Sequence, residues 1–155
     1  RLFQEIREKR GMAYSVYSFG SQYDETGQVG IYVGTREDNL ATCLEITAGE
    51  LCAVGRGEIR QTELDRAKEN LKGRLLLSME STSARMTRLG KALITGTEIV
   101  SVEATIARID AVTAGDVAAL ARDLYRPEGL SAAGIGPSEK KFRAALGRLN
   151  PGLVR

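Results

Sequence analysis

The sequence predicts an α+β domain, a mostly antiparallel sheet with helices packed on one face. Three observations carry this prediction. Residues 12–23 and 28–35 alternate apolar and polar side chains and read as two strands of a hairpin. Apolar stripes at helical spacing fill most of residues 35–124. A short stretch, "LSAAGIG", then returns as a strand before a last helix, so strands and helices segregate along the chain.

Residues 1–10 read as the end of a helix with Leu2, Phe3 and Ile6 on its apolar stripe. Gly11 suits the left-handed position after a helix, and Lys9 and Arg10 suit the negative end of its dipole. The stripe begins with no capping residue ahead of it, so we expect the domain to be truncated at its N-terminus. In the hairpin, "YDETGQ" supplies the turn. Pairing Tyr17 and Phe19 with Val29, Ile31 and Val33 on one face needs a loop of Glu25, Thr26 and Gly27, with Gly27 left-handed in a bulge. Tyr14 then falls on the opposite face with Tyr32, Gly30 and Gly34. That face is short of bulky groups and better suited to a cleft than to a core.

Three capping-box patterns follow: Thr35 with Asp38, Thr62 with Asp65, and Thr113 with Asp116. The first opens a helix with Leu40, Leu44, Thr47, Leu51 and Val54 buried, ended by Gly55 and Gly57. The second opens a long helical region, bent or broken at Ser81-Thr82-Ser83 and closed by Gly96. Ser101 begins a short helix, Thr113 another, and residues 138–149 the last. The late strand is expected to join the hairpin, and the tail after Pro151 to be loose. No repeat or linker divides residues 1–155, which read as a single domain.

Composition excludes several classes. The chain has 155 residues and a net charge of +2, without the clustered basic face of a nucleic-acid binder. No apolar run approaches the roughly 20 residues of a membrane span. There is no histidine, which removes imidazole from catalysis and from metal ligation here. Cys43 and Cys52 lie on opposite faces of one predicted helix, so free thiols in a reducing, cytoplasmic compartment are expected. "GIGP" lacks the Lys-Ser/Thr pair of a phosphate loop and carries no such reading.

The segments "RLFQEIREKRGMAYSVYSF", "LLLSMESTSARMTRLGKALITG", "IARIDAVTAGDVAALARDLY" and "LSAAGIGP" together resemble the insulinase, or pitrilysin and mitochondrial-processing-peptidase, family of zinc peptidases. The resemblance is greatest to its shorter, bacterial processing-peptidase-like branch, and it runs over about residues 1–137. It implies an architecture of two related halves enclosing a chamber, with zinc held by a His-x-x-Glu-His motif in the first. A chain without histidine resembles the second, C-terminal half, lacking that half's first strand and helix.

In members whose second half is functional, an arginine and a tyrosine seven residues later reach towards the substrate. That spacing falls on Arg7 and Tyr14 in "REKRGMAY". The resemblance therefore implies substrate binding by these two residues, with zinc and the general base in an N-terminal half, on the same chain or on a partner in a homo- or heterodimer. The implied substrates are peptides or unfolded segments, hydrolysed by the full-length zinc metallopeptidase and not by this segment alone. A non-catalytic subunit, or a core or assembly protein that partners a zinc-bearing one, is the alternative within the family. A peptide-binding scaffold built on the hairpin is the alternative outside it. Read without the family, Arg7 is a solvated helix-end residue and Tyr14 an ordinary strand tyrosine.

Overall fold

The computed structural model describes residues 1–23 and 25–154, an α+β arrangement with a two-stranded antiparallel sheet. The chain divides into two compact units, residues 1–58 with 118 onward, and Ile59–Val117.

The first unit begins with a π-helical segment, Phe3–Glu8. Strands β1 (Ala13–Gln22) and β2 (Gly27–Thr35) follow, then a 3₁₀ turn at Glu37–Asn39 and helix α1 (Leu40–Gly55). Its core is Ile6, Ala13, Val16 and Cys43, with Leu2, Met12, Val33 and Ile46 packed around them. Of the expected stripe at the start, Leu2 and Ile6 thus face inward, whereas Phe3 is exposed. Cys43 and Cys52 both lie on α1 as free thiols, the first buried and the second exposed. Thr47, one turn from Cys43, is buried and donates its hydroxyl to the Cys43 carbonyl at 2.8 Å.

The register differs from the expected one. Tyr17 pairs with Tyr32, Phe19 with Gly30 and Val16 with Val33. Odd positions of β1 thus meet even positions of β2, which moves the aromatics off the aliphatic face. The reason lies in packing. Tyr17 stacks on Tyr32 at 5.1 Å between ring centroids. Phe19 lies across Gly30 so closely that a Cβ there would sit 2.3 Å from the ring. The connection is correspondingly longer: Gln22 pairs with Gly27, and the Tyr23 amide donates to the Thr26 carbonyl at 2.8 Å. Gly27 belongs to β2 and is not left-handed. Asp24, within the expected turn, lies outside the described residues.

A second irregularity, a bulge between Ala13 and Ser15, lets Ala13 and Val16 both reach the core. Tyr14 therefore points out of the core. It is not segregated from Tyr17 and Phe19, which also sit on the sheet face turned away from the core.

Helix α6 (Glu139–Leu149) packs on α1 in the same unit, burying Ala145 and Leu146. Lys141 reaches Glu37 at 2.7 Å, and the Arg122 guanidinium donates to the Gly55 carbonyl at the end of α1 at 2.8 Å. Residues 130–136 form no strand, and Gly134 lies under the Phe142 ring instead. The sheet edge the segment was expected to join has no strand beside it among the described residues. The tail forms a 3₁₀ turn, Pro151–Val154, packed on α6 rather than a loose end.

The second unit contains α2 (Gln61–Met79), α3 (Thr82–Ile94), α4 (Val102–Ala111) and the start of α5 (Ala114–Leu124). The expected break falls between α2 and α3, where the Ser81 hydroxyl accepts from the Ala84 amide. Lys72 bridges Glu69 and Asp110 at 2.6 and 2.9 Å, tying α2 to α4. Ser101 caps α4, and Thr113 and Asp116 exchange bonds in the expected capping box. The other two boxes do not form. Thr62 lies inside α2, which starts a residue earlier, and Gln61 donates to Asp65 in its place. Thr35 spends its hydroxyl on the Met12 carbonyl at 2.6 Å.

Three glycines with positive φ end three helical segments: Gly11 (61°), Gly57 (82°) and Gly96 (64°). At Gly57 and Gly96 the amides bond three residues back, and those of Glu58 and Thr97 five back, the Schellman pattern. At Gly11 each bond reaches one residue further: Gly11 to Arg7 at 3.0 Å and Met12 to Ile6 at 2.9 Å. The wider closure follows from the π geometry before it.

Two glycines make opposite predictions. Gly11→Ala places a Cβ at a left-handed φ with no neighbour to blame, and is expected to destabilise the protein by about 1–2 kcal/mol. Gly49, inside α1 with open space at its Cβ position, is expected to gain about 0.5–1 kcal/mol on substitution by Ala. Urea unfolding midpoints at unchanged slope measure both. Equal signs for the two would contradict the assigned backbone conformations.

Candidate substrate-contact site

The π-helical segment and the bulge bring Arg7 and Tyr14 together. The Arg7 guanidinium carbon lies 5.7 Å from the centroid of the Tyr14 ring and 5.0 Å from that of Phe3, one turn earlier. The cation thus lies near the faces of two rings, contacts worth about 0.5–1 kcal/mol each at exposed sites. Tyr14 is 88% exposed, so the pair is open to a ligand. Among the described residues, no carboxylate or carbonyl accepts from the Arg7 guanidinium. Its orientation is set by aromatic faces, and its N–H donors are left for something else.

The neighbouring cations behave differently. Lys9 and Arg10 both pair with the Glu5 carboxylate, and Arg10 also donates to the Glu5 carbonyl at 2.6 Å, near the helix end. Lys9 first and Arg10 second hold the Glu5 carboxyl at a pKa of about 2, down from 4.5. Both cations therefore share one local anionic partner. Burial pushes the Cys43 thiol up, so it stays protonated in the core. Sequence reasoning missed Phe3 as part of this group by assigning it to the buried stripe. The available signal was its position four residues before Arg7, on the same side of a helical turn.

The residues present do not suit a metal. The sequence has no histidine, and Arg7, a fixed cation, would repel one. Among the described residues there is no group of three or more Cys, Asp or Glu side chains placed to hold an ion. Among the described residues, no helix is long and apolar enough to cross a membrane.

Residues 1–71 match the family model described as the peptidase M16 inactive domain, and this stretch contains Phe3, Arg7 and Tyr14. The chain belongs to the peptidase M16 family, as part of its C-terminal half. An uncharacterized zinc protease of Streptomyces coelicolor is 44% identical over 94% of this M16 chain and 32% of its own length. An uncharacterized zinc protease of Bacillus subtilis is 39% identical over 89% and 34% respectively. A crystal structure of a conserved protein from Enterococcus faecalis matches 78% of this chain and 28% of its own, with a TM-score of 0.68 and 27% identity. The M16 chain thus spans about a third of the length of these curated relatives.

The Glu5 cluster is testable on its own. Its pKa is depressed on folding, so its stabilising contribution is present above the unfolded value near 4.5 and is lost as pH falls through about 2. Carbon-detected NMR of the Glu5 carboxyl should give a midpoint of about 2, moving up towards 4.5 when Lys9 and Arg10 are both replaced by Ala. A midpoint near 4.5 in the unmodified protein would show that the pairs do not persist in solution.

Proposed function

We propose that residues 1–155 are the second half of a zinc-dependent endopeptidase, and that Arg7 and Tyr14 contact the peptide being cut. The observation that carries this reading is the Arg7 guanidinium, ordered by two rings and unpaired by any described acceptor. Arg10 and Arg122, by contrast, use their donors within the chain, on Glu5 and Gly55.

The chemistry suits an extended peptide. The guanidinium offers a planar fork of donors that two backbone carbonyl oxygens can accept. The Tyr14 hydroxyl, beside it, can donate to the carbonyl oxygen on which negative charge develops as the peptide bond is attacked. In a chamber closed by the other half of the protein, exclusion of water would strengthen both contacts. Zinc and the general base belong, on this reading, to an N-terminal half. The relatives' printed description as zinc proteases supports the assignment. Free Cys43 and Cys52 suit a reducing, cytoplasmic location.

Two measurements decide. In the full-length protein, Arg7→Ala and Tyr14→Phe are each expected to lower kcat/KM on an unstructured peptide about a hundredfold or more. Unchanged kcat/KM in both would remove the assigned roles. Residues 1–155 alone, with zinc added, are expected to hydrolyse nothing. Hydrolysis by that segment, abolished by a chelator, would overturn the division of labour between the halves.

A further inference from the structure

We propose that Phe3 is a positioning residue for substrate recognition: its ring fixes the Arg7 guanidinium so that the donors point outward to the peptide. The proposal rests on the reading of Arg7 as a substrate contact and extends it to a residue with no donor of its own.

Three observations lead to Phe3. Its ring is the nearer of the two that flank the cation, at 5.0 Å against 5.7 Å for Tyr14. It is 43% exposed, although its neighbours Leu2 and Ile6 turn into the core, so burial does not account for it. Its ring belongs to the same π-helical segment as Arg7, so the contact is built by local geometry.

The consequence for recognition is directional. An exposed arginine unpaired by carboxylate or carbonyl would otherwise sample many rotamers, and a substrate would bear the cost of ordering it. Contact with two ring faces limits those rotamers in advance. The N–H donors are left for a ligand, and their planar fork suits two acceptors spaced like neighbouring peptide carbonyls. Phe3 supplies the second face with nothing polar to compete for the acceptors. Glu5, the nearest acidic residue before Arg7 in sequence, is occupied by Lys9 and Arg10.

The test uses the full-length protein and a quenched fluorescent peptide of mixed sequence. Phe3→Leu keeps apolar volume and removes the ring, whereas Phe3→Trp keeps a ring. Phe3→Leu is expected to raise KM about three- to thirtyfold with a smaller change in kcat, and Phe3→Trp to restore KM. In protein labelled with ¹⁵N-arginine, the Arg7 Nε–H resonance, assigned by its loss in Arg7→Lys, should move when Phe3 becomes Leu and move back with Trp. In an Arg7→Ala background, Phe3→Leu should add nothing. Unchanged KM and Nε–H resonance in Phe3→Leu would overturn the positioning role. So would a Phe3→Leu loss of the same size without Arg7. An Arg7→Ala variant with normal kcat/KM would instead overturn the substrate-contact reading itself, whatever Phe3 does.

Discussion

The turn at Gly11 is the constraint on which the local architecture rests. Its φ of 61° closes two hydrogen bonds, from Gly11 to Arg7 and from Met12 to Ile6, and turns the chain from a helical segment into β1. Met12 is then held from both sides of its peptide units: its carbonyl accepts from Thr35 at 2.6 Å and from Asn39 at 3.3 Å. One residue thus joins the helix end, the last residue of β2 and the entry to α1. Ile6 and Ala13, on either side of the turn, meet in the core with Val16 and Cys43. A residue with a Cβ at position 11 would strain the bend that brings these elements together.

The same turn decides what faces outward. With Ile6 buried, Phe3 and Arg7 are left on the outer side of the π-helical segment. With Ala13 and Val16 both buried, the bulge must place Tyr14 outside. The core therefore sets the outer surface by exclusion: each residue taken inward fixes which neighbour is left outside. The π geometry is part of this arrangement, because its wider closure shifts the final bonds back by one residue relative to those at Gly57 and Gly96. Such segments are rare and frequently occur at functional sites.

Much of this was legible in the residues. Gly11, Gly57 and Gly96 signalled helix ends because each has a specific backbone task, and all three have positive φ. Ser81, Ser101 and Ser138 cap α3, α4 and α6, since a short hydroxyl before a helix has few competing uses. What failed to read were features set by long-range competition. Thr35 looked like a cap, but the Met12 carbonyl, 23 residues away in sequence, claimed its hydroxyl. The hairpin register followed stacking of Tyr17 on Tyr32 and of Phe19 over Gly30 rather than a shared face for aromatics and aliphatics. Residues 130–136 read as a strand, but they lie off the sheet, with Gly134 under the Phe142 ring of α6. Arg7 and Tyr14 were singled out by resemblance alone, and Phe3 was not, because an aromatic at helical spacing reads as core.

The electrostatics of the segment separate structural cations from an available one. Arg7, Lys9 and Arg10 lie within four residues of sequence, with one carboxylate, Glu5, just before them and another, Glu8, among them. Glu5 takes two of the cations, and the depth of its pKa shift reflects both bonds. Had Glu5 paired with Arg7, a substrate carbonyl would have had to displace a charged acceptor, which binds a guanidinium more strongly than a neutral one does. Flanking Arg7 with rings leaves its charge unneutralised at little cost while water reaches it. If the other half of the protein closes over this surface and removes that water, the unpaired donors become costly until peptide carbonyls satisfy them. Recognition would then favour a bound, extended backbone over an empty closed state. That follows from a cation ordered by quadrupoles, and not from one ordered by a salt bridge.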